Sequence, residues 1–461
     1  ISQPAQGYLS KFQRPDAADL VLNMAPIICH DSGQGRPLLM RLTQEHQLAY
    51  FDLPENAANH NCCSGKTRSG KGAEKVLRML ETYPMGIDQY MIEYGGSYRW
   101  VIRALGGQYI TIDPDTMYLN PLPSYEDVAL AKANNKISQL SAFSINTMAV
   151  LLTGGEADFK KVDGGNHHIS RAQQVFEYLY DPEVIIEGQS APKLSDFLAV
   201  LEAVFAATED KESQDYQSLK FLRDNLDSFL QSPVGAKFNS DDDGLDLSGD
   251  CIGIDIKPLV DSGDKHLLEI YLVSIFMRLT NKVISNRDRA ELAIDEFQVA
   301  AKEAPEMVTS IVSRAVTTWA KENSHLEVLS QSPEHFNVDE DVLDQVNHRQ
   351  FMYMENGHEK AQVKFRIPMK AYETWRSLED PSLAGLPFRH AIRQFGRNTY
   401  HLNIHLPEWI LILADTRGKA LNIKDQIDRE MPDADIEACI ARFIELDAKE
   451  TQTENELEEV L

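Results

Sequence analysis

Short apolar runs alternate along this chain with longer stretches in which apolar residues return every three or four positions. The first kind reads as strands and the second as amphipathic helices. After an apolar stretch that runs to Gly65, Ala73-Glu74-Lys75-Val76-Leu77-Arg78-Met79-Leu80 has helical spacing. The stretch from Met85 to Glu93 has a strand-like end, Tyr90-Met91-Ile92. Gly95-Gly96-Ser97-Tyr98, a helix through Leu105, Gly106-Gly107 and a short strand at Tyr109-Ile110-Thr111-Ile112 follow, ahead of a loop at Asn120-Pro121. From 125 to 230 the pattern is mostly helical, as in Ile145 to Leu152, Ile169 to Leu179 and Leu194 to Phe205. Strands return at Ile252 to Ile256, Leu292 to Ile294, Leu326 to Leu329 and Gln350 to Met354, with helices at Leu267 to Leu279 and Met307 to Trp319 between them. Tyr400 to Leu406 alternates with period two, Trp409-Ile410-Leu411-Ile412-Leu413-Ala414 reads as a further strand, and an acidic helix starts at Asp435.

This alternation predicts an α/β fold with a mostly parallel sheet between helices, interrupted by a largely helical insertion. The expected units are a lead-in over 1–45, a first part of the core over 46–124, the insertion over 125–230, a second part of the core over 231–430 and an acidic helix or tail over 431–461. No internal repeat is visible. At 461 residues the chain suits two to four domains or one large decorated one.

Composition narrows the functional classes. No apolar run reaches the roughly 18 residues of a membrane helix, so membrane association is expected to be peripheral or through a partner. The start at Ile1-Ser2-Gln3-Pro4 has neither Met nor a signal core and reads as an internal start, with an N-terminal domain missing. Net charge is -26, which does not support DNA binding, because phosphate-backbone binding needs a positive surface. Part of the acid sits in Asp241-Asp242-Asp243, Asp339-Glu340-Asp341 and the tail after Glu450, read as solvated loops. The cysteines Cys29, Cys62, Cys63, Cys251 and Cys439 have neither zinc spacing nor an even count, which fits a cytoplasmic protein. Cys62 and Cys63 are expected in buried packing.

The chemistry lies in Gly65-Lys66-Thr67-Arg68-Ser69-Gly70-Lys71-Gly72, which has the phosphate-loop spacing G-x-x-x-x-G-K. The glycines let successive backbone N–H groups point at phosphates, Lys71 neutralises the β/γ oxygens, and the following helix offers its positive end. Position 72 departs from the pattern. A Ser or Thr hydroxyl there would ligate Mg²⁺, and Gly72 has none, so slow or absent turnover is expected. The complementary element is a strand ending in acids, Leu292-Ala293-Ile294-Asp295-Glu296. Asp295 is the candidate Mg²⁺ residue, acting through water. Glu296 is the candidate base that orients and deprotonates the attacking water. Gln331, after Val328-Leu329-Ser330, is the candidate γ-phosphate sensor. His167-His168 and the pair His401 and His405 are poorly placed to share a metal, and Trp100, Trp319, Trp375 and Trp409 read as core.

Several segments in order resemble the conjugative-transfer and type IV secretion ATPases, the VirB-four/TraC/TraU group in the HerA–FtsK branch of P-loop motors. They are Glu93-Tyr94-Gly95-Gly96-Ser97-Tyr98, Leu105 to Ile110, Asn120-Pro121-Leu122, Gly235 to Asn239, Asp250 to Leu259, Ile294-Asp295-Glu296 and Ser330-Gln331. Glu93 stands where that family usually has Asp, and Ser330 where it has Thr. Arg68 and Gly72 are further departures, and the tail from Pro407 is closer to the type IVB (DotO/IcmB, TraU) versions. The resemblance spans roughly residues 45 to 420. It implies a RecA-like P-loop NTPase core, the C-terminal motor domain of a bacterial ATPase using ATP with Mg²⁺. It also implies a hexamer of the full-length protein, inner-membrane secretion or conjugation components as partners, and an arginine reaching a neighbour's nucleotide, with Arg314, Arg389, Arg393, Arg397 and Arg417 as candidates. A catalytically weak nucleotide-binding structural subunit and a DNA-pumping motor are the alternatives.

Overall fold

The computed structural model describes residues 33–34, 36–53, 59–153, 159, 162–184, 188–240, 244–286, 289–303, 305–336, 343–381, 388–396 and 398–460. Most of the lead-in with Cys29, the acidic runs 241–243 and 339–341, and Arg397 lie outside the described residues.

The described strands are β1 (Gly33–Gln34), β2 (Leu39–Thr43), β3 (Leu48–Phe51), β4 (Asn61–Ser64), β5 (Ile87–Glu93), β6 (Gln108–Thr111), β7 (Cys251–Asp255), β8 (Arg289–Ile294), β9 (His325–Ser330), β10 (His348–Met352), β11 (Phe388–Phe395) and β12 (Asn398–His405). They form one sheet in the order β1-β3-β2-β12-β11-β10-β4-β9-β8-β5-β7-β6. From β10 to β6 every pairing is parallel. Beyond β10 the sheet continues through antiparallel β11, β12, β2 and β3. The chain has an α/β fold: a mostly parallel sheet between helices.

Alternation along the strands feeds two cores, one per face. Cys62, Leu292, Ile294, Val328 and Phe351 point into one, with the helices Ile137–Thr153, Gly165–Leu179, Leu194–Ala206, Gln214–Leu230 and Lys265–Asn286. Cys63, Ala293, Leu329 and Met352 point into the other, with the helices Lys71–Thr82, Arg99–Ala104, Glu408–Ala414 and Gly418–Glu430. Cys62 and Cys63 are thus buried on opposite faces, and burial pushes the Cys62 thiol up to about 12. Trp100, Trp319 and Trp375 are buried, whereas Trp409 is half-buried. The stretch between β6 and β7 is helical, as its pattern implies.

One expectation is corrected. Trp409 to Ala414 is a helix, Glu408–Ala414, not a strand. Pro407 occupies its N-cap and Glu408 its first turn, and Ile410 and Leu413, three apart, face the core while Leu411 stays exposed. A six-residue apolar run carries no period of its own, so these flanking residues decide its form.

No helix among the described residues is long and apolar enough to cross a membrane.

Candidate nucleotide site

The parallel strands end together at one edge of the sheet. Register places Ser64 opposite Ser330, Ile294 opposite Val328, and Ile92 opposite Ile294. β9 therefore lies between the strand that enters the phosphate loop and the strand that ends in acids. In open α/β sheets, ligands bind outside such carboxyl ends.

The loop 65–72 hangs from its neighbours by backbone bonds. Gly65 N–H donates to Ser330 O (3.2 Å) and Lys66 N–H to Tyr353 O (2.8 Å). Two of its glycines are required by space or backbone. A Cβ at Gly65 would sit 2.7 Å from Met352 Cβ, and Gly70, at φ 109°, would meet the Arg389 side chain at 2.7 Å. Arg68 also adopts a left-handed conformation (φ 68°), which L residues rarely take outside tight turns. Ser69 is buried, while Thr67 and Arg68 are exposed. The helix Lys71–Thr82 begins directly after Gly70. Lys71 Nζ folds back into the loop and donates to Gly65 O (2.6 Å) and Lys66 O (3.2 Å).

Asp295 and Glu296 follow β8. Asp295 Oδ1 accepts from Glu296 N–H (2.8 Å) and Oδ2 from the Tyr98 hydroxyl (2.8 Å), so both oxygens are oriented. Glu296 has φ 48°, a strained conformation of the kind that clusters at functional sites. Its Oε2 accepts from Gln331 Nε2 (3.0 Å) and from Gln298 Nε2. Burial, then the Asp295 charge, raises the Glu296 carboxyl above its ordinary value, against the lowering effect of Gln331 and Lys71.

These groups line a cavity of about 640 Å³. Its wall includes Thr67, Arg68, Gly70, Lys71, Gly72, Tyr98, Asp295 and Glu296, together with Arg389, Leu406, Leu411, Ala414, Asp415, Thr416 and Arg417. The lining thus holds four cations and three carboxylates, a local balance opposite in sign to the chain's net -26. Polyanionic phosphates suit a wall with this excess of cations, and Leu406, Leu411 and Ala414 add apolar lining.

The structure brings Lys71, Asp295, Glu296 and Gln331 to one edge of the sheet, although Gln331 lines no part of the cavity wall and reaches the site through Glu296. It separates the arginine candidates. Arg393 is 1 % exposed, pairs with Glu74 (3.8 Å) and stacks on Phe51, so it cannot reach a neighbouring subunit. Arg389 and Arg417 line the cavity of their own chain, and Arg417 pairs with Asp415 (2.6 Å). The Arg314 side chain lies outside the described residues.

Residue reading missed Tyr98, Gln298 and the wall from Leu406 to Arg417. The signal for Tyr98 was present in Gly95-Gly96-Ser97-Tyr98. Gly95 (φ 99°) and Gly96 (φ 84°) turn the chain after β5 and carry the phenol to the end of β8. Glu93, at the root of this turn, accepts from Ser97 N–H (2.9 Å) and the Tyr109 hydroxyl, and burial raises its carboxyl to about 7. No group of three or more His, Cys, Asp or Glu able to hold a metal by itself occurs among the described residues.

No protein-family model matches the chain, and neither does any curated protein. Solved structures do. The plasmid coupling protein TrwB in complex with ADP and Mg²⁺ aligns at a TM-score of 0.46 and 11 % identity, covering 85 % of this chain and 92 % of that one. VirB4 of Thermoanaerobacter pseudethanolicus aligns at a TM-score of 0.55 and 15 % identity, covering 84 % of this chain and all of that one (100 %). The chain shares its fold with that VirB4 from end to end of the matched protein.

Proposed function

We propose that this chain is the nucleotide-binding motor domain of an ATPase that energises a type IV secretion or conjugation apparatus. What supports the reading is the convergence of Lys71, Asp295 and Glu296 on one cavity at the carboxyl edge of a sheet with the VirB4 fold. In this reading the loop N–H groups and Lys71 bind the β- and γ-phosphates of ATP, with Lys71 exchanging its bonds to Gly65 O and Lys66 O for phosphate oxygens. Asp295 would hold Mg²⁺ through water, and the ion would supply charge neutralisation at the β/γ oxygens. Asp295 suits this, since its two oxygens are each held by one donor and keep lone pairs to spare.

Glu296 orients the attacking water and takes its proton. Its raised carboxyl makes it a stronger base than an exposed glutamate, and Gln331 holds its Oε2 in place. Gln331, bonded to Glu296 and following β9, senses whether the γ-phosphate is present. The protein would act as a hexamer at the cytoplasmic face of the inner membrane, docked on other components of the apparatus. The acidic charge does not support direct DNA pumping.

Gly72 favours a second reading, a nucleotide-dependent structural subunit with little turnover. ATP binding and hydrolysis by this chain, with and without Mg²⁺, test both. Binding of a fluorescent ATP analogue is expected, with Lys71→Ala weakening it at least about 100-fold, the loss of two or more charge-assisted phosphate bonds. Lys71→Ala binding as tightly as the unaltered chain would overturn the assignment of the site. Hydrolysis at a normal rate for such motors would overturn the second reading.

A further inference from the structure

The phosphate loop ends in a glycine that nothing in its backbone demands. Gly72 has no left-handed φ, and a Cβ built on it meets a single neighbour, the Tyr98 hydroxyl, at an ordinary 3.5 Å. Gly65 and Gly70 are different, since a side chain at either would collide. Position 72 therefore has room for a serine, and the atom it would approach is itself a hydroxyl.

That hydroxyl is fixed. Tyr98 is 1 % exposed, and its Oη donates to Asp295 Oδ2 at 2.8 Å while lining the same cavity as Gly72. In a loop with Ser at this position, a neutral hydroxyl stands between the loop and the acidic strand. Here one does too, supplied from the turn after β5.

We propose that Tyr98 is the positioning residue that replaces the missing Ser or Thr hydroxyl at Gly72, holding the Asp295 carboxylate in the orientation that binds a magnesium–nucleotide complex. The proposal rests on the nucleotide-binding reading above. It makes Gly72 one half of an exchange between two positions and not the mark of a decayed site. Tyr98 acts through Asp295, whose Oδ2 it holds by a hydrogen bond.

The test is a Mg²⁺ titration of fluorescent-ATP binding on the full chain and three variants, Tyr98→Phe, Gly72→Ser and the double variant, each repeated in EDTA. Tyr98→Phe is expected to raise the Mg²⁺ concentration for half-maximal tightening about 10-fold, the size of one hydrogen bond to a charged group. Affinity in EDTA should stay within about 2-fold, which a merely structural role of the ring would not produce. In the Tyr98→Phe background, Gly72→Ser should bring the midpoint back toward that of the unaltered chain.

An unchanged midpoint in Tyr98→Phe would overturn the proposal. So would an equal loss with and without Mg²⁺ that Gly72→Ser does not rescue. If the unaltered chain bound no nucleotide at all, the nucleotide-binding reading itself would fall, and this inference with it. Normal binding with an unaffected Tyr98→Phe would leave that reading standing and remove only this inference.

Discussion

Replacing Glu291 by Gln should destabilise the fold more than almost any other single charge removal. Glu291 is 0 % exposed, under the phosphate-loop helix Lys71–Thr82. It accepts from Lys75 Nζ and from Arg78 Nε (2.9 Å) and Nη2 (2.6 Å). Lys75 and Arg78 also approach Glu327, and Arg41 pairs with Glu74 (2.9 Å) and Glu81 (2.8 Å), with Arg393 at the margin near Glu74. Four cations thus balance four carboxylates between the helix and the sheet. Glu291→Gln leaves four against three in a dry environment. Breaking one partner of such a buried pair costs roughly 3–5 kcal/mol. Glu327, still 3.0 Å from Lys75, should hold the loss near the lower end. At about 2.1 cal/mol/K per residue, a chain of 461 residues unfolding as one unit has an unfolding entropy of about 1 kcal/mol/K. A melting-temperature fall of about 3–5 °C follows, measured by calorimetry at neutral pH. Glu430→Gln, on an exposed pair with Arg442, is the control and should shift the melt by less than about 1 °C. The gap also has a pH signature. Burial would raise the Glu291 carboxyl, but Arg78 and Lys75 overcome burial and hold it well below the usual carboxylate range. A carboxylate depressed in the folded state contributes its stability above its unfolded pKa, near 4.3, and loses it as pH falls toward the folded value. The difference between native chain and variant should therefore be constant above about pH 5 and shrink below about pH 4. A melt unchanged within about 1 °C at pH 7 would refute the view that this cluster is balanced charge by charge.

Glu296→Gln should leave ATP-analogue affinity within about 3-fold while cutting any Mg²⁺-dependent phosphate release about 10²–10⁴-fold, the usual weight of a general base. Loss of binding of the same size as the loss of turnover would show that Glu296 serves the loop's geometry and not the water. His60 ties the sheet to the helix Pro305–Trp319: its Nδ1 accepts from Leu326 N–H (2.9 Å), so Nε2 donates to Val316 O (2.9 Å). Burial lowers it from 6.5 to about 4, so the folded state resists protonation. Stability from this neutral histidine is full above pH 6.5 and falls between about pH 6.5 and 4, by up to about 3 kcal/mol. Urea midpoints should decline over that window, and His60→Gln, which can supply the same donor and acceptor, should flatten the decline; an equal slope in the variant would place the effect elsewhere, with the buried His325 as the next suspect.

Much of this fold is legible in residue order because the parallel strands are buried on both faces and bounded by turn residues. Ile252 to Ile256, Leu292 to Ile294 and Leu326 to Leu329 all fall on strands of the sheet, the first overrunning its strand by one residue. The antiparallel extension is not legible in the same way. β2 and β3 are short and partly exposed, and nothing local to them announces that β12 will be their neighbour. Partner choice there is set by long-range packing, such as the edge-to-face contacts of Phe51 with Tyr400 and Phe395. The helix Glu408–Ala414 hid for a simpler reason: its residues are apolar on both sides, and only Pro407 and Glu408 point to a helix start.

The site divides along the same line. Lys71, Asp295 and Glu296 could be named because each follows a strand, and strand ends in a parallel sheet must share an edge. Gly72 could be named only as a loss. What offsets the loss is Tyr98, which reaches Asp295 across 197 positions of sequence through two glycines with positive φ. The balanced ionic cluster beneath is equally unreadable in advance. Lys75 and Arg78, three apart on a helix, look like a solvated face, and they become a core only because Glu291 and Glu327 point inward from neighbouring strands. A charge on a strand that is otherwise apolar is the signal sequence reading should have weighed, since such a residue is buried with its partner or not at all. Glu291 sits two residues before Ala293 and Glu327 two before Leu329, on the face that also receives the phosphate-loop helix. The helix carrying Lys71 into the site is thus anchored by its own next two basic residues, and loosening that anchor should disturb the loop before it unfolds the sheet.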